Sequence, residues 1–146
     1  MIDHIPAILG PVVVLAGWTM VMFLWMYATR IPAMQRAKVD PGSMVGGTGK
    51  DLDAVLDAKI QWKAHNYNHL HEAPTVFYAI ALTLAMIGQG DNLNATIAWV
   101  YVGLRIAHSL VQATVNRVMV RFGLFALSSI ALIMLVVHAA ITVFSH

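Results

Sequence analysis

The stretch that decides the fold is residues 5–29, IPAILGPVVVLAGWTMVMFLWMYAT, which contains no Asp, Glu, Lys or Arg. An uncharged apolar segment of this length crosses the hydrocarbon core of a bilayer as a helix. Pro6, Gly10 and Pro11 loosen the beginning of the segment, and Arg30 ends it. The sequence therefore predicts a first membrane-spanning helix over about 5–29.

The composition of the whole chain also indicates a lipid environment. Of 146 residues, 59% are hydrophobic and only 11% are charged, whereas about a quarter of the residues of a soluble domain are charged. These values predict an integral membrane protein whose length allows one bundle, because each spanning helix uses about 20 residues. The net charge is only +2 and no basic stripe is interleaved with aromatic residues, so a nucleic-acid partner is not expected.

Three further helices follow from the hydropathy pattern. They are predicted over about 52–88, 95–116 and 122–144, and the proline- and glycine-rich segment 30–51 is predicted to be a loop at the membrane surface. The second helix begins outside the hydrocarbon, and Pro74 is expected to kink it. The predicted fold is an all-α membrane protein, a four-transmembrane-helix bundle that forms one domain over residues 1–146.

The basic residues fix the predicted orientation. Apart from one, all fall on the same side of the predicted bundle: Arg30, Arg36, Lys38, Lys50, Lys59, Lys63, Arg117 and Arg121. Short loops rich in Lys and Arg face the cytoplasm. The loop 30–51 is therefore predicted to be cytoplasmic, and both termini are predicted to lie on the non-cytoplasmic side.

The remaining basic residue, Arg105, lies in the middle of the third predicted span. A charge at that depth costs about 2.5–3.5 kcal/mol on insertion scales, so it marks a pairing partner or a functional site. His108 and Gln112 follow Arg105 at i+3 and i+7 and lie on the same helical face. A second polar stripe on helix two contains His65, His69 and Glu72, with Asn68 beside it.

These two stripes leave three interpretations open. Arg105 and Glu72 form an ion pair that holds the helices together, or the donors around Arg105 bind a small anion that enters from the cytoplasm past Arg117 and Arg121. Alternatively, His65, His69 and Glu72 bind a metal ion, which an arginine on the facing stripe disfavours by repelling the cation.

Several of these features together resemble one family. Four short-looped spans, a polar second helix ending in Glu72 and the string Arg105-Ile106-Ala107-His108 resemble the MAPEG family, the membrane-associated proteins of eicosanoid and glutathione metabolism. Arg117 and Arg121 follow in the order and spacing of its prostaglandin E synthase branch. The resemblance implies a bacterial-type member in the inner membrane, built as a homotrimer, with glutathione bound between neighbouring subunits and acting through its thiolate.

The resemblance also implies roles for individual residues. Arg121 would be catalytic and stabilise the thiolate, Glu72 would receive the amino group of glutathione, Arg105 would order the site and His108 would be a polar contact. The full set implied to bind glutathione is Asn68, His69, Glu72, Arg105, His108, Gln112 and Arg117. The chain departs from the family at Asn68 and His69, where the family has Arg and Asn, and at Gln112 and Phe125, where the matching branch has tyrosines.

The predicted function is that of a glutathione-dependent membrane transferase or peroxidase acting on lipophilic electrophiles delivered from the bilayer. One alternative is a non-catalytic membrane subunit that packs within a larger membrane complex through the small residues of helix four, Ala126, Ser128, Ser129, Ala131, Ala139 and Ala140. A second alternative is a metal-binding membrane protein that uses the helix-two histidines.

Overall fold

The computed structural model of the protein describes residues 4–145, so residues 1–3 and 146 of the predicted domain lie outside it. Within 4–145 the chain is all-helical, without a β-strand, as the sequence predicts. Five α-helices follow one another: α1 (Leu9–Arg36), α2 (Ala58–His69), α3 (Ala73–Met86), α4 (Asn92–Ala113) and α5 (Val118–Phe144). Two short 3-10 turns, Pro41–Ser43 and Asp51–Ala54, lie between α1 and α2.

Much of the apolar surface of the two longest helices faces outward. Among residues 4–145, α1 and α5 are long and apolar enough to cross a membrane, and only 22% of the most apolar window of each is buried. The outward side chains of α5 include Phe122, Leu127, Ile130, Ile133, Val137 and Ile141. An apolar surface of this extent suits a lipid environment rather than water. Helix α4 carries the buried Arg105, and its passage through the bilayer remains a prediction.

Helix α1 is longer than predicted, because it continues past Arg30 to Arg36. Its last turns bury Ala33 against Leu52 and Leu56 in a small apolar cluster. Burial of this face favours continued helix at the point where the sequence places the start of a loop. The loop on this side of the bundle is therefore shorter than the predicted 30–51.

The prediction of one continuous helix over 52–88 is wrong. The helix is interrupted at residues 70–72 between α2 and α3, and Glu72 there has φ −94° and ψ −97°, outside the helical region. Pro74 lies in the first turn of α3, where its missing N–H interrupts no helical hydrogen bond, so it starts a helix instead of kinking one. His69, the last residue of α2, lies beside Glu72 across this interruption.

The link between α4 and α5 also differs from the prediction. Helix α4 ends at Ala113 rather than near 116, because Asn116 adopts a left-handed conformation with φ 53°. Asparagine is one of the few residues other than glycine that enters this region readily. Helix α5 then begins at Val118 rather than at 122. As a result, Arg121 lies on the first turn of a helix instead of in a loop.

Three helices meet at a buried serine. Trp18 of α1 donates its indole N–H to Ser109 Oγ of α4 over 2.9 Å, and Asn66 of α2 donates its amide to the same oxygen over 2.6 Å. Asn66 and Ser109 are both 0% exposed. In a dry interior each of these donors needs an acceptor, so the hydroxyl fixes how α1, α2 and α4 are placed relative to one another.

The turn between α3 and α4 is fastened to the beginning of the described chain. Asp91 accepts the backbone N–H of Ala7 over 2.9 Å, and its second oxygen lies 2.9 Å from the His4 ring. The bond from Ala7 and then the bond from His4 hold the pKa of the Asp91 carboxyl below its usual value. Together with the bond from Ile8 N–H to Gly90 O, these contacts close this end of the bundle.

We predict that Ser109→Ala lowers the melting temperature of the detergent-purified protein. The substitution leaves the Trp18 and Asn66 donors buried without their acceptor, which costs about 1–3 kcal/mol for an unsatisfied group. Ser129→Ala is the matched control, because Ser129 Oγ only donates back to the Phe125 carbonyl of its own helix. Equal melting temperatures for the two variants would contradict a joining role for Ser109.

Candidate functional site

A cleft of about 220 Å³ lies where the end of α2 meets α4 and the beginning of α5. Four polar and three apolar residues line it: His69, His108, Gln112, Val118, Arg121, Phe122 and Phe125. A concave site with a few converging polar groups on an apolar wall has the form of a small-molecule site. Four of the seven residues belong to the set predicted from the sequence.

Helical spacing explains how the lining is assembled. His108 and Gln112 are four residues apart on α4 and therefore share one face. Val118, Arg121, Phe122 and Phe125 fall at i, i+3, i+4 and i+7 on α5. Val118 and Phe122 were not among the site residues predicted from the sequence, since the predicted helix began at 122. A helix continued back to Val118 would have shown both residues on the face of Arg121.

The charged group that lines the cleft is Arg121. One of its terminal nitrogens donates to Asn116 Oδ1, across the left-handed turn that joins α4 and α5. Its Nε is buried, and no acceptor for it is found among residues 4–145. Gln112 Oε1 is also buried, and no donor to it is found there. A buried N–H without an acceptor is costly. Both atoms have almost no accessible surface, so a polar molecule in the cleft would reach them only after the two side chains moved.

The predicted ion pair between Arg105 and Glu72 is not formed. The His69 ring stands between them: His69 Nε2 lies 3.4 Å from Arg105 Nη2, and His69 Nδ1 lies 2.9 Å from Glu72 Oε2. The Glu72 side chain is 69% exposed. The interruption of the helix at 70–72 is the physical reason, because it turns the carboxylate outward and leaves the ring as its contact to the interior.

Arg105 is 1% exposed and does not line the cleft. Its guanidinium carbon lies 5.7 Å from the centre of the Phe125 ring and 5.9 Å from the centre of the Tyr101 ring. Two of its donors, Nε and Nη1, have no acceptor within the described part of the chain. The aromatic rings attract the cation but accept no conventional hydrogen bond. The charge is therefore buried behind the wall of the cleft and contacts the lining through His69 and Phe125.

Two more predicted residues lie outside the cleft, as Arg105 and Glu72 do. Asn68 lines a second cleft of about 280 Å³ beside Arg30 and Asp53, and Arg117 is exposed at the beginning of α5. Asn68 and its neighbour His69 point to different faces of α2, since successive residues on a helix point about 100° apart.

The predicted metal ligands do not converge. His65 pairs with Asp53 over 3.1 Å, whereas His69 pairs with Glu72. Among residues 4–145 no group of three His, Asp or Glu side chains is placed to hold a metal ion. The geometry therefore gives no support to the alternative in which His65, His69 and Glu72 bind a metal.

Comparison with known proteins gives one match. The model of the MAPEG family matches residues 8–141, which includes all five helices nearly to the end of α5. No curated protein and no solved structure matches the chain.

We predict that Arg105→Met raises the melting temperature of the ligand-free protein. Methionine fills a similar volume, contacts the same rings and removes two buried donors that lack acceptors, and such apolar replacements are often neutral or stabilising. Arg36→Met, at the exposed end of α1, is the control for loss of one positive charge. A clearly lower melting temperature for Arg105→Met alone would contradict this account of Arg105.

Proposed function

Because the chain belongs to the MAPEG family, whose members are membrane proteins, we propose that it is a glutathione-dependent transferase or peroxidase acting on lipophilic electrophiles. The observation that carries the proposal is the half-buried Arg121, which lines the cleft beside the apolar side chains of its own helix face, Val118, Phe122 and Phe125. A fixed positive charge at such a face favours an anionic nucleophile beside an apolar reactant.

The chemistry of the cleft fits glutathione. The tripeptide brings carboxylates, an amine and a thiol, and the polar half of the lining provides two imidazoles, an amide and a guanidinium. Arg121 Nε and Gln112 Oε1 are buried atoms that lack partners among residues 4–145, so a polar ligand would satisfy them if the two side chains turned towards the cleft. In this proposal exposed Glu72, which contacts the lining residue His69, would receive the amine. When bound, glutathione would supply a thiolate nucleophile.

Arg121 has the main catalytic role in this proposal. A free thiol has a pKa of about 8.5, and a neighbouring guanidinium lowers it so that more thiolate is present near neutrality. The apolar side chains of Val118, Phe122 and Phe125 exclude water, which strengthens the attraction between the guanidinium and the sulfur. The same three side chains provide the surface on which a lipophilic electrophile from the bilayer would lie next to the sulfur.

The size of the cleft supports a shared site. At about 220 Å³ it is smaller than the pockets of about 300–1,000 Å³ that hold most small ligands. We therefore propose that a neighbouring subunit covers the rest of glutathione in a homotrimer, where Asn68 and Arg117 would contact parts of the ligand outside this cleft. The trimer would lie in the bacterial inner membrane, with both termini on the non-cytoplasmic side.

One observation favours a second candidate, a non-catalytic membrane subunit within a larger complex. The cleft has Gln112 and Phe125 at the positions where the matching branch of the family has tyrosines, so its lining contains no hydroxyl group. A site without a phenol has lost one donor for a sulfur anion, and a bond to a charged group contributes about 1.5–3 kcal/mol. In this case Arg121 would stabilise the turn at Asn116 and bind no thiol.

The two candidates are separated by the thermal stability of the purified protein with reduced glutathione. A ligand at about 100 times its dissociation constant stabilises the native state by about 2.7 kcal/mol, so the melting temperature should rise. Oxidised glutathione and zinc are the parallel controls. No rise with reduced glutathione would favour the non-catalytic subunit, and a rise with zinc alone would support a metal-binding protein instead.

For the catalytic role, we predict that Arg121→Met lowers turnover of a model electrophile by about 100-fold, the loss typical of removing one group that stabilises a developing negative charge. The fold should survive, because Arg121 is only half-buried. Arg36→Met is again the control for loss of charge and should keep wild-type turnover. A well-folded Arg121→Met protein with unchanged turnover would exclude thiolate stabilisation by this residue.

A further inference from the structure

His69 occupies an unusual place, since one small ring contacts both charged residues that the sequence predicted to pair. Its side chain is 23% exposed and lines the cleft. Through its two nitrogens it touches Glu72, which faces outward, and Arg105, which is buried behind the wall. Within the described part of the chain, no other hydrogen bond to the Arg105 guanidinium is found.

The positions of the two partners decide the tautomer of the ring. A carboxylate only accepts hydrogen bonds, so the proton must be on Nδ1, which donates to Glu72 Oε2 over 2.9 Å. A guanidinium only donates, so Nε2 must offer a lone pair to Arg105 Nη2 at 3.4 Å. Only the neutral ring with its proton on Nδ1 satisfies both contacts.

Protonation of the ring would break this arrangement on one side. With a proton on both nitrogens, Nε2–H would point at Arg105 Nη2, donor against donor and cation against cation. The contact to Glu72 would be kept. The ring would then be drawn towards the carboxylate and away from Arg105, and it would change the charge and the shape of the cleft wall.

Several charged or titratable groups face His69. Glu72 approaches it from the segment between α2 and α3, and Arg105 and His108 approach it from α4, with the centre of the His108 ring 5.0 Å away. Arg121 lines the same cleft from α5, and Phe125 is the apolar neighbour at 6.2 Å. Three of the four ionisable neighbours add or can add positive charge, so a cationic His69 is poorly placed in this cleft.

We propose that His69 is a positioning residue that couples Arg105 to Glu72 in its neutral form. The proposal rests on the proposed function for its ligand, because the amine of glutathione would bind the carboxylate that His69 holds. Neutral His69 holds the outward Glu72 carboxylate at the edge of the cleft and gives the Arg105 guanidinium its hydrogen-bond acceptor. Protonation of His69 therefore weakens ligand binding as the pH falls.

The direction of the effect follows from linkage. If the ligand binds the form with neutral His69 more tightly, binding releases a proton from the ring, and affinity is present at higher pH and lost on acidification. Histidine changes its charge between about pH 5 and pH 8. One linked proton changes affinity by at most tenfold per pH unit, so the Kd at about pH 5.5 should exceed the Kd at about pH 7.5 by at most about 100-fold.

The first arm of the test needs no ligand. In protein labelled with 15N at histidine, the ring nitrogens of His69, assigned by the loss of signal in His69→Asn, report the tautomer near neutral pH. The expected result is a neutral ring with its proton on Nδ1. A proton on Nε2, or a doubly protonated ring, would overturn the proposal whether or not glutathione binds.

The second arm measures the Kd of reduced glutathione at the two pH values. Asparagine keeps a donor and an acceptor but does not titrate, so His69→Asn should show a smaller pH dependence than the wild type, and the part that remains belongs to the thiol of glutathione. His69→Gln is a second non-titrating variant in case the first is unstable. His71→Asn is the matched control, since exposed His71 contacts only the Tyr67 carbonyl and ring of its own helix.

The outcomes distinguish this inference from the proposed function. Wild-type protein that fails to bind glutathione at about pH 7.5 would sink the proposed function, and the ring tautomer alone would then decide whether His69 couples the two charges. Binding with the same pH dependence in the wild type and in both His69 variants would overturn the positioning role while leaving the proposed function intact.

Discussion

The burial of Arg105 is the constraint on which the site depends. A guanidinium that is 1% exposed, in a helix of a membrane protein, has lost its water and needs compensation from its neighbours. The structure provides two aromatic rings and one imidazole nitrogen, which leave two donors without acceptors among residues 4–145. An arrangement that is expensive for stability and lies directly behind a cleft is typical of a functional site, where stability is given up for activity.

The bundle around Arg105 supports this placement. Ser109, one turn further along α4, accepts hydrogen bonds from α1 and α2 and fixes α4 in rotation, so that Arg105, His108 and Gln112 face the end of α2 and the start of α5. The left-handed Asn116 then reverses the chain and holds Arg121 beside the same cleft. Each polar contact therefore serves both the packing of the helices and the geometry of the site.

The sequence predicted an all-helical membrane protein and four of the seven residues that line the cleft, because apolar runs and helical spacing are local properties. The stripe of His108 and Gln112 on α4 needs only the period of the helix to be found. The interruption at residues 70–72 was missed, since Pro74 predicts a kink and a helix start equally well from sequence alone. His69 and Glu72 are neighbours at i and i+3 on any helix, but only the geometry shows that Glu72 faces outward at that interruption and that the His69 ring takes the place beside Arg105.

The central claim is that the cleft stabilises a thiolate beside Arg121, and the ultraviolet difference spectrum of bound glutathione tests it most directly. At about pH 6.5 a free thiol with a pKa near 8.5 is only about 1% ionised. The account predicts that binding to the purified protein produces a thiolate absorbance band and that the band is lost in Arg121→Met. Saturated binding without a thiolate band would contradict it.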